Sequence, residues 1–458
     1  MEGKNSMTEG SIWRSLVAFS IPLILGNLFQ QLYNVFDSII VGNYVGKEAL
    51  AATGNAGSIV MLLIGFFIGA ATGAGIITSQ AYGAKDTKRL HAAVHTSLAI
   101  AIIGGVILAV AGVVLTPMMM RAIDTPEDVF DQAVVYLRVY MLGAVFATVY
   151  NMSAGILNAV GNSKRSLVYL IIASVTNVVL DILFVGVFRW GIIGAAIATD
   201  VSQFVSCVFI VRYLVKSKEI YHVNLKDIKL HKGLPSQILK LGLPTGFQSV
   251  IISLSNVIVQ ASINSFGSNT MAAYTAYAKV EGFMLLPIMS LGMAATTFTG
   301  QNYGAARPDR IRKGTKVSTA MGVGYAIVVA IIMFFAGPYI IRIFTDETAV
   351  VKCGVFMLNC LLPAYWVLGI FNVKVGTIRG VGKTFQAMLI SIISLCGVRL
   401  LWIFLVFDNS SIGGGSNLML LMINYPITWL VGAIAAVVCE RKYLHQVDCE
   451  FSTQDADK

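Results

Sequence analysis

The stretch Thr78-Ser-Gln-Ala-Tyr-Gly-Ala84 returns later in the chain as Thr299-Gly-Gln-Asn-Tyr-Gly-Ala305, at a displacement of 221 residues. The same displacement relates Gly155-Ile-Leu-Asn-Ala-Val-Gly161 to Gly376-Thr-Ile-Arg-Gly-Val-Gly382. Self-similarity at one fixed displacement is the signature of a repeated structural unit. The chain is therefore expected to consist of two related halves.

The composition places both halves in a membrane. Of the 458 residues, 56% are hydrophobic and only 12% are charged, whereas a soluble protein usually carries about 25% charged residues. The net charge of +10 comes from basic residues in short loops between apolar runs, where such residues set membrane topology. Nucleic acid is therefore not expected as a partner, and the lipid bilayer is.

Glycine, proline and charge clusters divide the chain into apolar spans long enough to cross the hydrocarbon layer of about 30 Å. Six spans in each half give the halves the same orientation, as in a parallel repeat with its substrate site between the halves. The predicted fold is an all-α polytopic membrane protein with twelve transmembrane helices in two six-helix lobes. The spans lie near 13–42, 53–82, 91–117, 130–156, 166–187, 191–215, 237–265, 272–302, 316–340, 352–377, 386–407 and 418–439.

Loop charge predicts the orientation of the chain. Lys85, Lys164 and Arg310 represent the basic loops, and Asp124 and Asp346 represent the acidic ones that alternate with them. Because basic loops stay in the cytoplasm, both termini are expected there, in a multi-pass protein of a bacterial-type inner (plasma) membrane. The expected parts are a cytoplasmic N-terminal tail (1–12), an N-terminal lobe (13–216), a cytoplasmic linker (217–236), a C-terminal lobe (237–440) and a cytoplasmic tail (441–458), which is predicted to be disordered after Tyr443.

A polar stripe in the first span carries an acidic residue at membrane depth. This stripe consists of Gln30, Tyr33, Asn34 and Asp37. Tyr33 and Asn34 each lie three or four residues from both Gln30 and Asp37, so all four fall on one side of a helix. A charged group inside a span is costly, so it indicates a functional site. The alternative is a hydrogen bond between helices that only packs the bundle.

The fifth and sixth spans carry further polar groups. Asp181 follows Asn177 by four residues and shares its helix face, and Thr199 and Asp200 lie in the next span. The structural alternative for Asp181 is a cap on the turn at Gly191. For Asp200 the functional and the structural interpretation are equally open.

These groups suit a cation. Two carboxylates that converge in a low-dielectric cavity cannot both ionise cheaply, so one of them is expected to hold a proton. Alternatively, Asp37, Asn177, Asp181 and Thr199 could hold Na⁺, a hard cation, through their oxygen atoms. Either chemistry makes a cation-coupled switch. No cofactor is expected beyond the coupling ion, Na⁺ or H⁺.

The second half lacks the matching acids. At the displacement of 221 residues, Asp181 corresponds to Trp402 and Asn177 to Val398. The seventh span carries a neutral polar stripe that includes Asn256 and Gln260. Ion chemistry is therefore expected in the first lobe alone.

The charged residues of the second half are harder to interpret. Glu281 is expected to pair with Lys279 or to line the mouth of a cavity, and no partner can be named for Arg399. Lys374 and Arg379 lie near the end of a span, where long side chains reach the interface.

A substrate cavity is expected from the polar stripes together with soft apolar side chains, because methionine adapts to varied ligands. Packing in the core or against lipid is the alternative for any one of these residues. The expected cavity residues are Gln30, Asn34, Asn256, Gln260, Met284 and Glu281.

Other functional classes lack support in the sequence. The six cysteines form no C-x-x-C pair and mostly lie in apolar runs, which predicts packing thiols and argues against a metal site built from them. There is no H-E-x-x-H or P-loop motif, and the five histidines lie in or near loops, so an enzyme is not expected. The two-lobe repeat disfavours a passive channel.

Several of these stretches resemble one transporter family. Gln30-Gln-Leu-Tyr-Asn-Val-Phe-Asp37 is similar to the first helix of multidrug and toxic compound extrusion (MATE) transporters. That family's fifth helix is similar to the stretch Asn177-Val-Val-Leu-Asp181. Its sixth helix resembles Gly191-Ile-Ile-Gly-Ala-Ala-Ile-Ala-Thr199. The Gln-x-Tyr-Gly motifs at Gln80 and Gln301 follow its second and eighth helices.

The resemblance implies two six-helix lobes around a V-shaped cavity. It also implies export of cationic or amphiphilic compounds, coupled to inward flow of Na⁺ or H⁺. The protein is expected to be a monomer. It implies the branch with its cation site in the N-terminal lobe, because the acid that another branch carries in the seventh helix is missing around Ile252 and Ser253. The cation-site residues matched in this sequence are Asp37, Asn177, Asp181, Thr199, Asn151 and Tyr33.

The rival interpretation is a flippase for a lipid-linked glycan precursor, since the wider superfamily includes such proteins. A flippase of that kind tends to have more spans and a basic central cavity for a pyrophosphate. The deepest charges of the first lobe are acidic here, which disfavours an anionic substrate.

Overall fold

A computed structural model describes residues 7–407 and 417–456 of the chain, and no strand occurs among them. Short π-helical stretches at Ile182–Val187, Ile393–Val398 and Ile403–Phe407 interrupt the α-helices. The α-helices are α1 (Ile12–Tyr44), α2 (Lys47–Gly83), α3 (Thr87–Ala122), α4 (Glu127–Leu142), α5 (Ala144–Ala159), α6 (Ser163–Asp181), α7 (Gly191–Lys216), α8 (Leu234–Asn264), α9 (Ser268–Gly304), α10 (Pro308–Arg342), α11 (Thr348–Leu361), α12 (Tyr365–Gly380), α13 (Thr384–Ile392), α14 (Arg399–Trp402) and α15 (Leu418–Ala456).

The predicted all-α membrane fold is confirmed. Eleven helical segments of the described chain are long and apolar enough to cross a bilayer, and the bent pair α4 and α5 brings the number to 12. The fourth predicted span is this pair, which bends by 52° at Gly143. The hydropathy pattern cannot show such a bend, because both arms are apolar.

The chain forms two compact units. The first contains Ile21–Gly246, and the second contains Met7–Ser20 together with Phe247–Lys458. Helices α1 and α8 therefore each begin in one unit and end in the other, and the change falls next to Pro22 and Pro244. The first unit includes the linker and the start of α8. The sequence analysis assigned that start of α8, from residue 237 on, to the C-terminal lobe.

Close packing of glycines explains why the start of α8 belongs to the first unit. Gly69 and Gly73 of α2 face Gly242 and Gly246 of α8, and a Cβ atom on Gly242 would lie 2.7 Å from the carbonyl oxygen of Gly69. Small residues four positions apart let two membrane helices pack backbone against backbone. The first turns of α8 are thus held directly against α2.

Gly242→Ala is expected to destabilise the protein by about 1–3 kcal/mol, since the added methyl group forces two backbones apart. Thermal unfolding in detergent measures the effect. Gly57→Ala in α2 is the matched control, because a Cβ atom there meets nothing within 4 Å. Equal melting temperatures for the two variants would contradict the close contact.

The predicted disorder after Tyr443 is wrong. Helix α15 continues to Ala456, and Leu444 and Val447 are buried against Ile311 and Val381. Since Phe451 packs on the same cluster, the apolar residues follow the helical spacing of three and four. The tail is a docked helix whose periodic pattern is visible in the sequence.

The repeated motif Thr299–Ala305 has a structural role in the second unit. Gln301 Oε1 accepts a hydrogen bond from the backbone N–H of Met7 at 2.9 Å, and Asn302 Nδ2 donates to the Met7 carbonyl at 3.3 Å. Arg310 donates to the carbonyl groups of Met7, Glu9 and Gly10. The segment before α1 is thereby fixed to the second unit.

Candidate cation-coupling site

The polar groups predicted in the first half converge inside the first unit. Asp37 comes from α1, Asn177 and Asp181 from the end of α6, and Thr199 from α7. Asp37 and Asp181 lie within hydrogen-bonding contact of each other. The expected pair of carboxylates therefore exists, contributed by two different helices.

An amide and two hydroxyl groups complete this cluster. With the Asn177 amide oriented to satisfy its neighbours, its nitrogen donates to Asp181 Oδ2 at 2.7 Å and its oxygen accepts from the Thr199 backbone N–H at 3.3 Å. The hydroxyl groups of Tyr33 and Thr199 are in hydrogen-bonding contact. We call these five side chains, those of Tyr33, Asp37, Asn177, Asp181 and Thr199, the carboxylate cluster.

The carboxylate cluster is largely buried, and no compensating cation is found for it in the described part of the chain. Asn177 and Asp181 are 0% exposed and Thr199 is 2% exposed, while Asp37 is half-buried. Among the described residues, no lysine or arginine forms an ion pair with either aspartate. One oxygen of Asp37 and one of Asp181 are buried and have no hydrogen-bond partner within residues 7–407 and 417–456.

The chemistry of this arrangement follows from its charge. Two buried carboxyl groups in contact repel each other unless a proton or a cation lies between them. The unpartnered oxygens of Asp37 and Asp181, with the Asn177 and Thr199 oxygens, form a set of hard donors of the kind that alkali and alkaline-earth cations prefer. The carboxylate cluster can therefore take up a positive charge.

Asn151 and Asp200 lie outside the carboxylate cluster. Asn151 donates to the Ala147 carbonyl of its own helix at 2.8 Å. Asp200 accepts a hydrogen bond from the backbone N–H of Gly143, at the bend between α4 and α5. A side chain on Gly143 would overlap the Asp200 carboxylate, so Asp200 is placed to hold the bend.

Asp200→Asn is expected to leave ion-coupled transport near the wild-type rate, because the amide oxygen can still accept from Gly143. Efflux of a transported dye from proteoliposomes measures it, and Asp200→Leu, which removes the acceptor, serves as the contrast and should lower thermal stability. Complete loss of coupling in Asp200→Asn would instead place this carboxylate in the ion path.

Comparison with known proteins identifies the family. The MatE family profile matches residues 22–183 and 244–405, one match for each half of the chain. The chain belongs to the MatE family. These proteins are the MATE multidrug efflux transporters, which are transporters and not enzymes.

The transporter is similar to several curated proteins and solved structures. It is 31% identical over 399 residues to the probable multidrug resistance protein YoeA of Bacillus subtilis (strain 168), covering 86% of both chains. It is 22% identical over 386 residues to the multidrug export protein MepA of Staphylococcus aureus (strain N315), covering 84% of this chain and 85% of that one. A solved outward-facing MATE transporter of the MOP superfamily has the same fold, with a TM-score of 0.91, 22% identity and coverage of 98% and 99%.

The second unit of the transporter also contains buried charge, at residues that the sequence places inside apolar spans. Arg399 is 4% exposed, donates to Asn256 Oδ1 at 2.7 Å and lies 4.8 Å from the ring centroid of Tyr425. Glu281 accepts from the Tyr365 hydroxyl group at 3.1 Å. The second unit therefore has buried charged groups of its own. That ion chemistry is confined to the first lobe stays a prediction.

Of the two alternatives expected for Glu281, the pairing with Lys279 is wrong. Lys279 lies instead over the ring of Phe344, with its nitrogen 5.6 Å from the ring centroid. Residues i and i+2 do not face each other on a helix, and this spacing could have excluded the pair. The partner of Arg399 lies 143 residues away along the chain, so no local pattern points to it.

The interface positions predicted for Lys374 and Arg379 are also wrong. Lys374 forms a buried ion pair with Glu440 at 3.2 Å, and Arg379 donates to Gln248 Oε1 at 2.8 Å. Both side chains are held by protein groups, whereas a side chain at the interface would end in water.

The residues predicted to line a substrate cavity lie in different settings. Gln260 donates to Asn264 one turn later on α8, and Asn34 is exposed on α1. Gln30 is half-buried. Met284 is 5% exposed and belongs to the core of the second unit. A role in substrate binding stays a prediction for all six, which include Asn256 and Glu281.

Proposed function

We propose that this MATE transporter is a secondary antiporter that exports cationic or amphiphilic compounds by alternating access, driven by inward flow of Na⁺ or H⁺. The observation that supports it is the contact between Asp37 and Asp181 in a buried site where no described lysine or arginine pairs with either carboxyl group. The names of YoeA and MepA, which refer to multidrug resistance and export, support the substrate class.

The carboxylate cluster gives the proposal its mechanism. A cation or a proton entering from outside reduces the repulsion between the two carboxyl groups, and its departure into the cytoplasm restores it. Moving one elementary charge across 100 mV supplies about 2.3 kcal/mol. That energy can sustain a concentration ratio of about fifty for a neutral compound exported in exchange for one ion. Exchange of one ion for a monovalent cationic compound is electroneutral, and it is driven by the concentration gradient of Na⁺ or H⁺.

The decisive experiment uses the purified transporter in proteoliposomes loaded with a cationic dye. A Na⁺ gradient and a pH gradient are imposed separately, each with the membrane potential clamped. We expect dye to move against one of these gradients and to stop when that gradient is dissipated. Dye movement that is indifferent to both gradients would overturn the antiport proposal.

The proposal includes the setting of the protein. We place it as a monomer in a plasma membrane with both termini in the cytoplasm, on the strength of its basic loops. The flippase alternative is not favoured, because a buried acidic site repels a pyrophosphate. Reconstituted transport of a lipid-linked pyrophosphate, without transport of the dye, would reverse this assignment.

A further inference from the structure

Four of the five histidines of the chain gather at one end of the first unit. His91 and His95 stand four residues apart on α3, and His222 and His231 belong to the linker. The rings of His91 and His95 have centroids 3.8 Å apart. Asp227 of the linker faces them, with Oδ2 3.9 Å from His91 Nε2. No part of the transport mechanism above uses these groups.

We propose that His91, His95 and Asp227 form a binding site for a divalent transition-metal ion, with Zn²⁺ as the best fit. Their three ligand atoms lie within 4.8 Å of one another. Zinc bonds of about 2.0–2.2 Å in a tetrahedron require ligand atoms about 3.3–3.5 Å apart. The site therefore needs a contraction of up to about 1.5 Å. The side chains of His91 and Asp227, which are 33% and 42% exposed, can make it by rotation.

Hydrogen bonds around the ligands resemble those that orient the ligands of a metal site. His95 Nε2 accepts from the Asn224 backbone N–H at 3.0 Å, so the proton of the neutral ring is on Nδ1, which donates to the His91 carbonyl at 2.7 Å. A histidine ligand usually donates its other ring N–H in this way. Asn224 Nδ2 donates to Asp227 Oδ2 at 2.9 Å, which orients the carboxylate.

One existing contact must give way when the ion binds. The Asn224 N–H occupies the lone pair of His95 Nε2 that the metal needs. Asn224 is exposed at the start of a short turn, Leu225–Asp227, so water can replace His95 as the acceptor for its N–H. A single neutral hydrogen bond is weaker than a zinc–imidazole bond, and the exchange favours the metal.

The set of ligands decides the class of ion. Two imidazole groups and one carboxylate suit zinc, nickel, cobalt or copper, whereas Mg²⁺ and Ca²⁺ prefer oxygen ligands. The exposed ring of His222 lies 6.0 Å from that of His91 between centroids and can supply a fourth ligand after a side-chain rotation. The site shares no residue with the carboxylate cluster.

Metal binding would replace one of the contacts that join the linker to α3 with a stronger one. The linker is held to α3 by the contact between Asn224 and His95 and by the Thr96 hydroxyl group, which lies 3.0 Å from His231 Nδ1. Because Asp227 belongs to the linker, an ion bound to all three residues would join linker and helix directly. Zinc should therefore slow backbone hydrogen exchange in residues 222–231.

The test is isothermal titration of ZnCl₂ into the full-length transporter, purified without a histidine tag and stripped with a chelator. We expect one equivalent to bind, at least tenfold weaker binding in both His91→Gln and Asp227→Asn, and no heat from MgCl₂. His445→Ala is the matched control, because His445 Nδ1 and Cys449 Sγ lie 3.3 Å apart in the tail and could hold zinc on their own.

Two results would overturn the proposal. One is unchanged zinc affinity in both site variants, and the other is loss of binding only in His445→Ala. Metal-free dye efflux and melting temperature should match the wild type in every variant, which separates a lost ligand from a misfolded protein. The chosen substitutions keep the approximate size of the side chains at the site, so the variants are expected to fold.

Discussion

Asp37→Asn is expected to abolish ion-coupled export while the transporter stays folded. The amide has the size of the carboxyl group and can donate to Asp181, so the contact between α1 and α6 persists. The second buried acid is lost, and with it the repulsion that makes cation or proton uptake favourable. Dye efflux from proteoliposomes under the coupling gradient should fall to the level of protein-free vesicles.

Asp131→Asn on α4 is the matched control for this substitution. Asp131 is exposed, and the same change of carboxylate to amide there should leave efflux intact. Size-exclusion profiles and melting temperatures of both variants should match the wild type. Coupled efflux by Asp37→Asn at the control's rate would remove this carboxylate from the mechanism.

Lys374→Met is expected to cause a large loss of stability, about 3–5 kcal/mol. The side chains of Lys374 and Glu440 are only 14% and 6% exposed, and their charged atoms lie 3.2 Å apart. Removing the lysine leaves the Glu440 carboxylate buried without its partner. Thermal unfolding in detergent should show a melting temperature lower by several degrees.

Two controls separate charge from packing. The double variant Lys374→Met/Glu440→Met should recover most of the loss, because apolar residues of similar volume often replace a buried pair at no cost. Arg312→Met breaks the ion pair with Asp448, whose side chains are 54% and 29% exposed, and should cost less than about 1 kcal/mol. If the double variant is no more stable than Lys374→Met, the stability depends on how the two side chains pack and not on the pairing of their charges.

The sequence was sufficient for the spans because their signal is local. A run of about twenty apolar residues needs no knowledge of its neighbours, and two motifs at one displacement reveal the duplication. The bend at Gly143 and the passage of α1 and α8 between the units depend on packing partners far along the chain. Hydropathy carries no information about those partners.

The carboxylate cluster was predictable in part. The spacing placed Asn177 and Asp181 on one helix face, and the position of a charge inside a span made Asp37 a candidate for the site. The position of Asn151 came from resemblance alone, and the structure leaves this residue bonded within its own helix. No local sequence pattern could show that Arg399 forms a hydrogen bond with Asn256, or that Glu281 forms one with Tyr365.

The π-helical stretch Ile182–Val187, directly after Asp181, has a counterpart at Ile403–Phe407, directly after Trp402, at the displacement of 221 residues. A π turn corresponds to one inserted residue and rotates the helix face that follows it. The same insertion at the same position is thus a further structural correspondence between the two halves. The two halves therefore share this helix geometry, while the residue directly before it is an acid, Asp181, in one half and Trp402 in the other.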